Sequence, residues 1–197
     1  KIRVLLAELG VPHEFVRAPG VLATSAAVYA DNPLMRVPTL IHGSDMLIES
    51  DHIARYLVGK YDPADRLGVR SERVADLNRL AVVNGIMSNE VVLLLARRGG
   101  LADLEGVVYF RKLLQAIDQG LVWLEAHTDP EREGFDYGDI ATICVWQHLL
   151  HYAFTPGLEN YPRIAARVER FAGRPSVAGT TPAVSLAEAV AAGWSPG

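Results

Sequence analysis

The spacing of apolar residues changes character once along this chain, near residue 61, and that change limits the folds open to it. Before it, helical and strand-like patterns alternate. Ile2, Leu5, Leu6 and Leu9 follow the i, i+3, i+4, i+7 spacing and predict a helix over 1–9, ended by Gly10 with Pro12 close behind. Residues 13–17 read as a short strand, and 25–31 as a short helix closed by Asn32-Pro33. The run 38–42, a turn at Gly43-Ser44-Asp45 and the run 46–49 predict a β-hairpin. A helix follows over 51–60, with Ile53, Tyr56 and Leu57 on one face. After residue 61 the period is helical throughout. Residues 70–98 read as one long helix or two shorter ones, broken at Gly99-Gly100. The spans 109–126, 136–152 and 162–172 read as helices, the last with Pro162 in its first turn and Gly173 after its end. A final helix begins near Ser185. The expected organisation is a small α/β domain over 1–61, a linker over 62–69 and an all-helical domain over 70–197.

Composition narrows the partners. Half of the 197 residues are apolar and 21% are charged, an ordinary globular balance. A net charge of -4 gives no basic footprint for nucleic acid. The longest continuous apolar runs, such as 91–96, fall short of a membrane span. One cysteine, Cys144, forms neither an intrachain disulfide nor a cysteine-rich metal site, which is compatible with a reducing compartment. The first residues read as an amphipathic helix and not as a secretory leader. That helix starts with neither a Met nor an N-cap, which predicts further residues ahead of Lys1.

Two short segments carry the candidate chemistry. Pro38 cannot donate to a strand ladder, so it belongs at an edge or a strand's first residue. It is either a plain strand-start proline or a cis proline that turns the chain and exposes the backbone of Val37. Ser50 stands where a helix N-cap belongs. Glu49-Ser50 is thus either a cap behind a solvated carboxylate, or a clamp. In the clamp, free helical N–H groups hold a ligand carboxylate while Glu49 pairs with a ligand ammonium, as the head group of an α-amino acid requires. Asp136 and Asp139 have capping-box spacing and read as a folding signal. The six histidines form no convincing metal set; His148 and His151 are three apart but lack a third ligand, and both read as core or surface. Cys144 reads as a buried, inert thiol.

In order and spacing these features resemble the cytosolic glutathione S-transferases, of bacterial type. Residues 1–10 resemble the family's first helix. Asn32-Pro33-Leu34-Met35-Arg36-Val37-Pro38-Thr39-Leu40 resembles its NP-x-x-(K/R)-VP-x-L signature. Residues 47–57 resemble its ES-x-x-I-x-x-YL signature, and Asp136 to Ile140 sit where the family has its capping box. The resemblance implies a thioredoxin-like N-terminal domain, with its first strand ahead of Lys1, followed by an all-helical domain. It implies that the backbone of Val37, before the cis proline Pro38, pairs with the cysteinyl unit of glutathione. It further implies that Glu49 and Ser50 hold the γ-glutamyl head group and that Arg36 approaches the glycine carboxylate. Glutathione is then a co-substrate, with no metal, and a small hydrophobic electrophile sits against the helical domain near Met87 and Val91. A cytoplasmic homodimer that binds neither nucleic acid nor membrane is implied, with a role in detoxification. The family's catalytic Tyr, Ser or Cys lies ahead of the first helix, so it is expected upstream of Lys1. The same fold also serves glutathione-dependent isomerases, dehalogenases, lyases and disulfide reductases, and non-catalytic interaction modules.

Overall fold

The computed structural model describes residues 1–18, 20–153, 155–191 and 193. Its elements are α1 (Ile2–Glu8), a 3-10 turn (Ala26–Tyr29), β1 (Thr39–His42), β2 (Asp45–Ile48), α2 (Ser50–Tyr61), α3 (Val74–Arg98), α4 (Val108–His127), α5 (Tyr137–Tyr152), a second 3-10 turn (Leu158–Asn160), α6 (Pro162–Ala172), α7 (Pro175–Ala178) and α8 (Pro182–Ala191). The amino-terminal part is a thioredoxin-like unit with a small two-stranded sheet, and the remainder is helical.

Several expectations change. Residues 13–17 form no strand: β1 and β2 pair only with each other, so this segment has no ladder neighbour, and Phe15 instead lies against the Arg3 guanidinium at 4.1 Å. The hairpin turn is the two-residue loop Gly43-Ser44, with Gly43 at φ +63 and Asp45 already opposite His42. Residues 74–98 form one unbroken helix. The last helix starts at Pro182, and the four-residue α7 precedes it.

The core is continuous from one part to the other. Val4, Leu5 and Leu6 of α1 and Ile53, Ala54, Leu57 and Val58 of α2 bury against each other and join Ile140, Ile143 and Leu149 of α5. The helix α5 is buried nearly all round, as its unbroken apolar run demands. On α4, Gly120 lets α3 approach closely; a methyl group there would come within 2.8 Å of the Ile86 side chain. By length and composition α3 is apolar enough to cross a membrane, despite its short continuous runs. Here it is the packed spine of the helical part, lying against α4 and α5.

The start of α5 is fixed by charge. Asp136 and Asp139 form a reciprocal capping box, each carboxylate accepting the other's backbone N–H, at 2.8 and 3.1 Å. The buried Asp139 also takes two bonds from Arg167, at 3.0 and 2.7 Å, and one from Arg132 at 2.8 Å. Arg79 of α3 donates to Asp136 at 2.6 Å. Burial alone would raise the Asp136 pKa, but the Arg79 charge outweighs it and holds that carboxyl below its ordinary range.

Candidate functional site

Hairpin register alone brings the two candidate segments together. Thr39 pairs with Ile48, so the next opposed positions are Pro38 with Glu49 and Val37 with Ser50. Pro38 lacks an N–H and the ladder stops there. The Val37-Pro38 bond is cis, and Val37 is 58% exposed.

Asn32 fixes the approach to that bond. Its side chain is only 1% exposed and donates to the Arg36 carbonyl at 2.7 Å and to Thr39 Oγ1 at 3.3 Å. Its own oxygen accepts the Leu34 N–H at 2.9 Å, and Thr39 Oγ1 donates to the Tyr29 carbonyl at 3.1 Å. Sequence reasoning used Asn32 as a helix stop and as the first residue of a family signature, without a bonding role. The Asn-Pro pair two residues ahead of an exposed, half-apolar loop was the available signal.

At the other side of the register, Glu49 is the residue that flanks α2, and Ser50 is already its first helical residue, with no side-chain capping bond. The expected cap at Ser50 is therefore displaced by one residue. Glu49 has φ +67 and ψ 122, a conformation costly for a side-chain-bearing residue. Its carboxylate accepts a hydrogen bond from Arg36 Nη2, so the two charged candidates neutralise each other across the hairpin end. The α2 N-terminus leaves free N–H groups facing the same place.

Behind Ser50, Asp51 turns inward. Lys1 Nζ donates to its Oδ1 at 2.6 Å, the Tyr137 hydroxyl donates to the same oxygen at 2.8 Å, and Asn84 Nδ2 donates to Oδ2 at 2.6 Å. Lys1 also reaches Asn84 Oδ1 at 2.9 Å. Burial works against the Asp51 charge, yet Lys1, Tyr137 and Asn84 outweigh it and lower the pKa. Burial, reinforced by the Asp51 charge, pushes the Tyr137 phenol well up, so it stays a donor. This network ties α1 and α2 to α3 and α5 directly under the candidate head-group site. Asp51 was not singled out from the sequence, because its partners lie 33 to 86 residues away.

Elsewhere, two hollows of about 260 Å³ lie in the helical part. One is lined by Gln147, Leu150, His151 and Thr181, the other by Arg97, Leu104, Glu105 and Leu114. Neither is lined by Val37, Glu49 or Ser50. Among the described residues no group of three or more His, Cys, Asp or Glu could hold a metal ion. Cys144 is half-buried, not fully buried. His148 binds the fully buried Glu90.

Residues 1–65 match the family of glutathione S-transferase N-terminal domains. The chain is 25% identical to a glutathione S-transferase of Methylobacterium radiotolerans in complex with glutathione sulfonate, with 92% of this chain and 88% of that one covered at a TM-score of 0.76. It is 27% identical to a glutathione transferase family member of Pseudomonas fluorescens with bound glutathione, covering 92% of each at 0.70. Residues 1–65 thus carry a glutathione S-transferase N-terminal domain, and the chain as a whole shares the fold of these transferases. A bacterial maleyl pyruvate isomerase of the zeta class, 22% identical, shares the fold at a TM-score of 0.72, covering 93% of this chain and 91% of that one. No curated protein matches the sequence.

Proposed function

We propose that this chain is a glutathione S-transferase, which binds glutathione at the end of its hairpin and conjugates the thiolate to small hydrophobic electrophiles. The observation that carries the reading is Glu49. A charged residue is held at positive φ, at the N-terminus of α2, opposite a cis Val37-Pro38 whose Val37 is exposed. Strain of this kind persists where a site requires it. Glu49 and Ser50 take the γ-glutamyl head group, ammonium on the carboxylate and carboxylate on the free N–H groups of α2. The Val37 backbone pairs with the cysteinyl unit in β-strand fashion. Arg36 leaves Glu49 for the glycine carboxylate, an exchange of one charge partner for another.

Residues 1–61 act as the glutathione-binding unit, 62–69 as the linker and 70–197 as the unit that holds the electrophile, near Met87 and Val91. A free thiol has a pKa of about 8.5, so lowering it by two units takes about 2.7 kcal/mol of thiolate stabilisation. A Tyr, Ser or Cys ahead of α1, with the N-terminal end of that helix, supplies it. The protein works as a cytoplasmic homodimer. Val74, Leu77 and Val92 on one exposed face of α3, with Ile41 and Met46 on the hairpin, support a covered apolar surface. The fold shared with a maleyl pyruvate isomerase favours glutathione-dependent isomerisation as the second reading.

Glu49→Ala tests the head-group assignment. Titration calorimetry is expected to show glutathione affinity falling by about tenfold or more, each decade being about 1.4 kcal/mol. Unchanged affinity removes Glu49 from the site.

A further inference from the structure

We propose that Lys1 and Tyr137 are positioning residues for glutathione: they hold the Asp51 carboxylate inward, off the first N–H groups of α2, and so leave those donors to the carboxylate of the γ-glutamyl head group. This role rests on the glutathione reading above.

Three residues at the start of α2 carry side chains able to satisfy its free donors, and none does so. The first intrahelical bond runs from the Ile53 N–H to the Glu49 carbonyl at 2.9 Å, so the N–H groups of Ser50, Asp51 and His52 lie ahead of the ladder. Glu49 makes no capping bond and pairs with Arg36. The Ser50 hydroxyl has no hydrogen bond among the described residues. Asp51 stands in the first turn, where a carboxylate ordinarily gains from the helix dipole and from the donors beside it. Its bonds run the other way, to Lys1 Nζ at 2.6 Å and the Tyr137 hydroxyl at 2.8 Å on Oδ1, and to Asn84 Nδ2 at 2.6 Å on Oδ2.

The groups that draw Asp51 inward are themselves fixed. Tyr137 is buried at the first residue of α5, and its N–H donates to the Leu67 carbonyl at 2.8 Å. The capping box of Asp136 and Asp139 sets the same turn. The Lys1 ammonium lies 5.5 Å from the centre of the Tyr137 ring and also donates to Asn84 Oδ1 at 2.9 Å. Asp51 is not sealed in by packing, since its side chain is 34% exposed. Its direction is therefore set by these bonds. The Arg36–Glu49 pair is the opposite case. Both of its side chains are exposed, and such a pair exchanges partners at little cost. Of the two carboxylates that flank the α2 donors, one is free to exchange and the other is tied back.

Tying it back matters because Asp51 is the nearest competitor for the site. A carboxylate on the same turn is present at a high effective concentration, whatever the concentration of the ligand. Released from Lys1 and Tyr137, it turns to the α2 donors. A ligand carboxylate must then displace it and approach a like charge. The penalty falls on the one part of glutathione that uses those donors. The ammonium on Glu49, the cysteinyl unit on the Val37 backbone and the glycine carboxylate on Arg36 are outside it.

Titration calorimetry tests this in chains carrying Tyr137→Phe, which loses one hydroxyl, and separately Lys1→Met, which loses the charge and keeps an unbranched stem. The probes are glutathione and 4-aminobutanoyl-cysteinylglycine, which is glutathione without the carboxylate of its γ-glutamyl unit. Glutathione affinity is expected to fall about threefold in Tyr137→Phe and about tenfold in Lys1→Met, the scale of a carboxylate at a helix N-terminus. Affinity for the second probe is expected to stay within about twofold. Adding Asp51→Ala to either chain removes the competitor, and glutathione affinity is expected to return to within about twofold of wild type. A network that serves stability alone gives the reverse: equal losses with both probes, and double variants that bind no better than the single ones. Either of those results, or unchanged glutathione affinity in the single variants, overturns the proposal. Tyr137→Phe opens no cavity and carries the test alone if Lys1→Met does not fold. A wild-type chain that binds no glutathione, or binds both probes alike, instead overturns the glutathione reading.

Discussion

The residues that shape the candidate site are not the ones that would touch glutathione. Asn32 holds both ends of the loop from Leu34 to Arg36, and so sets where the Val37 backbone is offered. Removing its side chain leaves the Arg36 carbonyl and the Leu34 N–H without those partners. Asn32→Ala is expected to cost about 1–3 kcal/mol in stability, read as a lower midpoint in urea unfolding. Glutathione affinity should fall with it, although the Asn32 side chain is buried; a variant with unchanged affinity separates loop support from binding. Glu49 and Arg36 were legible in the sequence as a carboxylate and a cation near two turns. Their mutual ion pair was not, because it depends on hairpin register carried past the end of the ladder.

The elements that matter most are the starts of α2 and α5. At α5 the capping box was readable from two aspartates three residues apart, since both partners lie within one turn. Its reinforcement was not readable, because Arg167 lies 28 residues further on and reaches Asp139 with two bonds. The Asp139 charge faces Arg79, Arg132 and Arg167. Asp139→Asn keeps the shape and removes that charge from a buried cluster. The expected loss is about 3 kcal/mol in urea unfolding, the size seen when one partner of a buried pair is removed. The four-residue α7 escaped sequence reading because four residues carry no measurable period, and the segment 13–17 was misread because apolar alternation cannot show whether a neighbouring strand exists.

For the whole molecule, polar ties hold the amino-terminal unit to the helices. Arg3 reaches Ser185 and Glu188 of α8, Glu8 accepts from Arg174 and Ser176, and Asp51 joins Lys1, Asn84 and Tyr137. Hydrogen bonding from Arg174 lowers the Glu8 pKa, and Asp51 is lowered as well. A carboxyl whose pKa is depressed on folding binds fewer protons folded than unfolded below its ordinary value. Its contribution is therefore whole above about pH 4 to 5 and is lost as the pH falls through the folded pKa. Thermal unfolding followed from pH 7 to pH 3 is expected to show a flat melting temperature, then a fall below about pH 4.5. Asp51→Asn and Glu8→Gln together should flatten that fall; an unaltered acid slope would place the responsible carboxylates elsewhere.

By itself the sequence determined the order of the longer helices, the hairpin, the capping box and the short motifs that resemble the glutathione transferases. These are all set by contacts within a few residues, where propensity, turn chemistry and periodicity act. Only the tertiary structure decided which polar groups meet: Asp51 with Tyr137, 86 residues apart, and Glu90 with His148, 58 apart. An apolar period tells which face of a helix is buried, but not which buried polar residue on one helix will find its partner on another. That pairing is fixed by how α3 and α5 pack, and packing is a property of the folded chain.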